Sequence, residues 1–453
     1  MRNTNFRVDQ IDGVGHTIKI CSTPAPGHVN PMLTVARHLR AAGHNVIFNT
    51  GEVFRKQVES AGLQFVPLQG FANFDYRHLD DAFPERKNFK PGPDQLAHDF
   101  KFGFGRPIPD QYHVIRRLMN QTRVDLILAD LTFMGTFPLL LGATDVRPPV
   151  ISCGISVVFL SSEDVSPFGA PGPGKPDCER NRQDNLQFQT MFKSVQDDMN
   201  AVLQICGAEP MSEFFLDSWY TLPDRFLQFT AGEFEYPRRN IPLTMQFAGP
   251  MLPQIRSNFQ KPDWWSDLDG PRPVVLVTQG TVANEDLSQL VEPALTGLDG
   301  EKALVVVATG DRDADTISIP IPANARIAQF IPFSEIFPKV DVFVTNGGYG
   351  AVQQALSAGV PIVVGGTTED KPFVAARVAW SGAGINLAVD RPSAGQVRDA
   401  VRTVLRDSSY RSHARRLQAK LTQYNSLRAV TETVASLLAS DDIHNRRLFR
   451  YLS

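Results

Sequence analysis

Two doubly wound α/β domains, facing each other across a cleft, are the fold class that this 453-residue chain predicts. Three observations carry that expectation. Short β-rich runs, apolar on both faces, alternate with helical patterns, as parallel sheets covered on both sides require. The alternation occurs twice, before and after a proline-rich stretch. The polar and glycine residues that stand out nearly all follow strand-like runs, on the edge where open parallel sheets bind ligands.

In chain order, "HTIKICST" is the first strand, and "NPMLTVARHLRAAGH" follows with Met32, Val35 and Leu39 at helical spacing and Gly43 as a stop signal. "NVIFNT", "VDLILAD" and "PPVISCGIS" continue the series. After about residue 270 it restarts with "PVVLVTQG", a helix from Glu285 to Leu298, "ALVVVATG", "ARIAQF", "VDVFVTN", a helix from Gly350 to Ala358, and "PIVVGG". Between the two series, the stretch from "PDRFLQFTAGEFEYPRR" to "WWSDLDGPRP" is rich in proline and turn signals and reads as a domain junction. The division that follows is a first domain at 1–240, a linker at 241–264, a second domain at 265–425 and a helical tail at 426–453. Residues 70–110 and 160–185 interrupt the alternation. The first is dense in phenylalanine and is expected to wall an apolar ligand.

Composition narrows the function classes. With 42% hydrophobic and 21% charged residues the chain is an ordinary globular one. A net charge of −3 leaves no electrostatic footprint for nucleic acid. No apolar run reaches the length of a membrane span. The first 15 residues lack an apolar core, so no signal peptide is expected. Cys21, Cys153, Cys178 and Cys206 form no C-x-x-C pair, which points to a reduced, cytoplasmic compartment.

His28, in "TPAPGHVNPMLTV", is expected just before a helix whose first turn holds Pro31. A helix N-terminus disfavours imidazolium by about 0.3–1 kcal/mol, keeping the ring fit to accept a proton. Asp130 follows another strand of the same domain and can bond the far ring nitrogen, fixing its tautomer. The plainer reading makes His28 a capping residue and Asp130 an N-cap. In the second domain, Asn346, Gly347, Gly348 and Gly350 sit at a strand-to-helix junction. Glycines there let a ligand approach the main chain, and the helix start offers N–H groups to an anion. A dinucleotide fingerprint would need a third glycine where Gln353 stands, although an acid follows at Glu369 or Asp370; a P-loop is absent. Alternating carboxylates at Asp311, Asp313 and Asp315, and at Asp267 and Asp269, do not continue as a calcium loop and read as solvated.

Together, "PAPGHVNPMLTVARHLRAAGHNVIF" and "FVTNGGYGAVQQALSAGVPIVVGGTTEDKPFVAARVAWSGAGINL" resemble the UDP-glycosyltransferase family, in the manner of its macrolide and sterol transferases. The resemblance spans about 16 to 425. It implies two Rossmann-like domains in the B-type glycosyltransferase fold, with inverting, metal-independent transfer and no resident cofactor. A nucleotide diphosphate sugar, UDP-glucose by default, would bind the second domain. A small apolar acceptor bearing a hydroxyl would bind the first. By position, the resemblance makes His28 the general base and Asp130 its orienting acid. It places Thr281 and Asn346 to Gly350 on the diphosphate, Phe330 and Ile331 on the base, and Glu369 and Asp370 on the sugar hydroxyls. It also implies a final helix that crosses back to the first domain. Three positions depart from the family pattern: Asn346 replaces a histidine, Gln354 a ribose-binding glutamate, and Lys371 the glutamine of an Asp-Gln pair. Those departures keep a second expectation open, a catalytically silent nucleotide-sugar-binding partner of another enzyme.

Overall fold

The computed structural model describes residues 15–90, 92–142, 147–172, 174–253, 259–281 and 284–451. Its first sheet is built from β1 (Thr17–Cys21), β2 (Asn45–Thr50), β3 (Gln64–Pro67), β4 (Leu126–Asp130), β5 (Val150–Gly154), β6 (Arg225–Gln228) and β7 (Met245–Phe247). The second contains β8 (Val274–Thr278), β9 (Leu304–Ala308), β10 (Ala325–Ala328), β11 (Val342–Thr345), β12 (Ile362–Val364) and β13 (Gly384–Asn386). Strand orders are β3-β2-β1-β4-β5-β6-β7 and β10-β9-β8-β11-β12-β13, and neighbouring strands pair in parallel. Both orders reverse beside their first strand. The crevice at such a reversal, off the carboxyl ends of the strands, is where doubly wound sheets hold ligands. The expected two-domain α/β architecture is therefore present.

Burial explains the strands. Every residue of β4, β5, β8 and β9 is buried, so their runs of Val, Ile and Leu face helices on both sides. Each such side chain contributes about 1.5–3 kcal/mol on leaving water. Cys21, closing β1, and Cys153, within β5, are both buried, and burial pushes the Cys21 thiol up to about 12 and the Cys153 thiol up as well, so neither behaves as a reactive thiolate.

Several expectations need correction. The first helix runs Pro26–Ala41, so His28 lies within its first turn rather than before it, and Pro31 is an interior residue. Pro26 takes the early position that suits proline. The expected helix from Glu285 to Leu298 divides into a 3₁₀ turn, Leu287–Gln289, and a helix, Val291–Leu298. The break occurs because Gln279 Oε1 accepts from the N–H groups of Leu290 and Val291, both at 3.1 Å, and starts the helix there. The glycine-loop helix is Tyr349–Ser357. The stretch read as a junction carries β6 and, at the sheet's edge, β7, strands too short to show a hydrophobic period.

The phenylalanine-rich segment also divides. Phe100 and Phe104 belong to the core of the first domain, where Phe100 meets Phe192, Phe215 and Trp219 edge-on at 5.8, 5.1 and 6.0 Å. Phe71, Phe74 and Phe83 instead line a cavity of about 400 Å³ with Asp75 and His78. Helix Ser426–Tyr451 returns to the first domain, burying Ala429, Val430, Val434, Leu437 and Leu438 in its core. His38 Nε2 and Thr431 Oγ1 fasten it at 2.8 Å.

Candidate functional site

His28 is carried to the first crevice by the turn between β1 and the Pro26–Ala41 helix, and Asp130 by the end of β4 beside it. His28 Nδ1 lies 3.1 Å from Asp130 Oδ1. Asp130 is buried, and it also accepts from the Thr23 N–H at 2.7 Å, the Thr132 N–H at 3.0 Å and the Thr132 hydroxyl at 2.8 Å. Burial pushes its carboxyl up, but the imidazole, the Thr132 hydroxyl and the Thr23 N–H outweigh that and hold it below the usual carboxylate range. A carboxylate only accepts, so Nδ1 carries the ring proton and Nε2 keeps its lone pair. Thr132 Oγ1 also lies 3.1 Å from Nδ1, and because its own proton goes to Asp130, the Thr23 hydroxyl donates to it at 2.9 Å. His28 and Asp130 thus act as a pair, in place of the separate caps that the plainer reading made of them.

The sequence did not single out Thr23 or Thr132. Their signal is visible only in retrospect: a hydroxyl two residues past Asp130, and another in the turn that leads to His28.

Across the cleft stand Glu369 and Asp370, which close the β12 loop. Burial raises the Asp370 carboxyl, while the nearby His28 ring favours the ionised form of both acids. Glu369 settles below its usual range because Lys371 pairs with it, with Arg86 adding to the effect. Asp370 accepts from the Ser156 hydroxyl of the first domain. Glu369 has a φ of 57°, a left-handed conformation that costs a non-glycine residue about 1–3 kcal/mol and clusters at ligand sites. Tyr76, from the long insertion, faces the same carboxylates; burial and their charge push its phenol well above its usual value, so it stays neutral. Arg86 is anchored beside it by Asp99 at 2.9 Å and Asp80 at 2.9 Å. Neither Tyr76 nor Arg86 carried a sequence signal.

Asn346 to Gly350 form the turn from β11 into the glycine-loop helix. Gly347 has a φ of 96°, and a side chain there would strike Val364. A Cβ on Gly348 or Gly350 would meet only open space, so the helix start is uncovered. The Asn346 amide donates to the Gln279 carbonyl, which ties the ends of β11 and β8 together at the second reversal. Thr281 is exposed after Gly280, and Phe330 is 53% exposed just past β10, free to act as a stacking platform. Ile331, beside it, is buried. Gln354 Nε2 turns back to Gly350 O at 3.2 Å. The acid pairs set aside as solvated are taken up by neighbours: Asp267 by Arg326 at 2.6 Å, Asp269 by Lys339 and Asp313 by Gln329.

The two crevices are held together by a polar seam. Arg377 donates to Glu235 at 2.6 Å and to the Val158 carbonyl at 2.8 Å, and the Val158 N–H donates to Glu235 at 3.1 Å. Gln228 donates to the Tyr349 hydroxyl at 3.1 Å, and Thr230 to Gln353 at 3.0 Å. Arg377→Ala would leave Glu235 buried with the Val158 N–H but without its ion-pair partner, a loss of about 3–5 kcal/mol. The expected result is a lower urea midpoint with the slope retained; a midpoint equal to that of the parent protein would count against the seam.

Comparisons with known proteins point to one family. Residues 25–101 match the glycosyltransferase family 28 N-terminal domain, and residues 290–437 the C-terminal domain of erythromycin biosynthesis protein CIII-like proteins. The 4'-demethylrebeccamycin synthase of Lentzea aerocolonigenes is 36% identical, covering 93% of this chain and 98% of that protein. UDP-glycosyltransferase 2 of Phaeomoniella chlamydospora is 34% identical over 93% of this chain and 95% of its own length. Among solved structures, the kitacinnamycin glycosyltransferase superposes with a TM-score of 0.70 at 20% identity, covering 93% of this chain and 99% of that one, a likeness of fold.

Proposed function

The chain belongs to the UDP-glycosyltransferase family, and on that premise we propose that it moves a hexose from a nucleotide diphosphate sugar to a hydroxyl of a small lipophilic acceptor. UDP-glucose is the donor we favour, and the transfer we propose inverts the anomeric carbon without a metal. The observation that carries this reading is the His28–Asp130 pair at the first sheet's carboxyl edge, to which the Ser156 hydroxyl joins Asp370 of the other wall.

In this reading His28 Nε2 removes the acceptor's hydroxyl proton as that oxygen attacks the anomeric carbon. The bond from that carbon to the diphosphate breaks on the opposite face. The uncovered N–H groups at Gly348 to Gly350 and the helix dipole stabilise the charge that develops on the leaving oxygen. Thr281 assists at the diphosphate, Phe330 stacks on the base, and the Ile331 backbone bonds its edge. Gln354 reaches the ribose, and Glu369 and Asp370 accept from the sugar hydroxyls. The cavity bounded by Phe71, Phe74 and Phe83 offers an apolar wall for the acceptor.

The test is incubation of the purified protein with UDP-glucose, and in parallel with thymidine diphosphate glucose, against phenolic, sterol and macrolide alcohols. The expected product is heavier by one hexose, with nucleotide released only when an acceptor is present. A second measurement addresses binding alone: UDP at about 100 times its Kd should stabilise the native state by about 2.7 kcal/mol, read as a raised Tm. A Tm shift without transfer to any acceptor would favour the silent-partner alternative. Neither shift nor transfer would remove the nucleotide-sugar reading altogether.

A further inference from the structure

Lys371 is buried, only 4% exposed, and opens the helix Lys371–Trp380. Both facts are unfavourable for a lysine. Burial disfavours its charge, and the positive end of the helix dipole repels it. Such a violation of local preference is expected where function retains it. Among the described residues its Nζ donates to Glu369 and to the Thr368 hydroxyl at 3.1 Å, and an ammonium carries three hydrogens. Its stem packs against the glycine loop: a Cβ built on Gly347 would lie 3.5 Å from Lys371 Cβ. It lines a small pocket with Gln279, Asn346, Gly366 and Thr368, in which it is the one positively charged residue.

Asn346, at the head of the same loop, is neutral, and its amide is committed to the Gln279 carbonyl. A diphosphate leaving through this pocket would therefore meet backbone N–H groups and a single positive side-chain charge, while the pocket's one acid, Asp390, accepts from the Thr367 hydroxyl at 3.1 Å. We propose that Lys371 is that charge: its third hydrogen bonds the β-phosphate of the donor and follows it as negative charge builds there. The inference rests on the nucleotide-sugar reading above. Glu369 holds the ammonium in place, and the strained backbone of Glu369 sets the carboxylate where it can do so.

Binding separates this role from a purely structural one. Calorimetric titration of the full chain would compare uridine diphosphate with uridine monophosphate, and thymidine diphosphate with its monophosphate. Lys371→Gln is expected to weaken the diphosphates about tenfold or more, as loss of a charge-assisted bond does, and to leave the monophosphates within about twofold. Lys371→Arg should restore most of the loss. If Lys371→Gln proves unstable because Glu369 is left unpaired, the double variant Glu369→Gln/Lys371→Gln removes that charge and should show the same selective loss. Equal weakening of mono- and diphosphates, or unchanged diphosphate affinity, overturns the proposal while leaving the donor reading intact. If the parent protein binds none of the four nucleotides, the donor reading falls first and takes this proposal with it.

Discussion

His28→Ala is expected to lower turnover by about 10²–10⁴-fold with nucleotide affinity little changed. In the proposed mechanism the ring is the proton acceptor, and its removal leaves the acceptor's proton to water. The glycine loop belongs to the other sheet, so binding of the nucleotide should survive. The measurement is steady-state transfer alongside calorimetric titration of UDP. A turnover equal to that of the parent protein would take His28 out of the chemistry. A parallel loss of nucleotide affinity would point to a rearranged cleft.

Asp130→Asn is expected to lose about 10²-fold or more, although the shape of the side chain barely changes. All four contacts described for Asp130 are donors: two backbone N–H groups, the Thr132 hydroxyl and the His28 ring. Three of them meet Oδ1 and the Thr23 N–H meets Oδ2, so an amide, with one accepting and one donating edge, would turn hydrogens on the Thr23 N–H or on the other three. Where the hydrogens face His28, the ring proton moves to Nε2 and the proposed base is lost, as the equivalent exchange does in a serine hydrolase triad. The same carboxylate has a signature in acid. Its pKa lies below the unfolded value, so its contribution to stability is present above about pH 3.9 and is lost as pH falls through the lower folded value. The asparagine variant should lack that component of acid unfolding. Full activity in Asp130→Asn would reduce the residue to a cap for the Thr23 turn.

Much of this was legible in the sequence, for a physical reason. Strands buried on both faces, such as "LVVVA" and "VVLVT", have a composition that few other environments tolerate. Glycine runs where a backbone must turn tightly are equally distinctive, as at Gly347. Candidate site residues at or just past the ends of such strands, Asp130 closing β4 and His28 in the helix after β1, inherit that clarity. Contacts made across long separations do not. Tyr76 and Arg86 reach the cleft from an insertion whose turns have no hydrophobic period, so nothing marks them out from Phe100, which faces the core. Gln353 looked like a defect in a nucleotide fingerprint, yet it accepts a hydrogen bond from Thr230 in the other domain. The start of the helix expected from Glu285 was misplaced because a side chain from elsewhere, Gln279, decides where it begins.

The seam around Arg377 governs how this molecule could open. Its ion pair is almost wholly sequestered from water, whereas His78 and Glu285, which bridge the domains at 3.6 Å from the insertion side, are each more than half exposed. Exposed pairs of that kind contribute at most about 1 kcal/mol and yield easily. Separation would therefore begin at the insertion and swing about the Arg377 corner, as a jaw does about its joint. Variation in the insertion can then change what the cleft admits while the joint keeps its two walls in register.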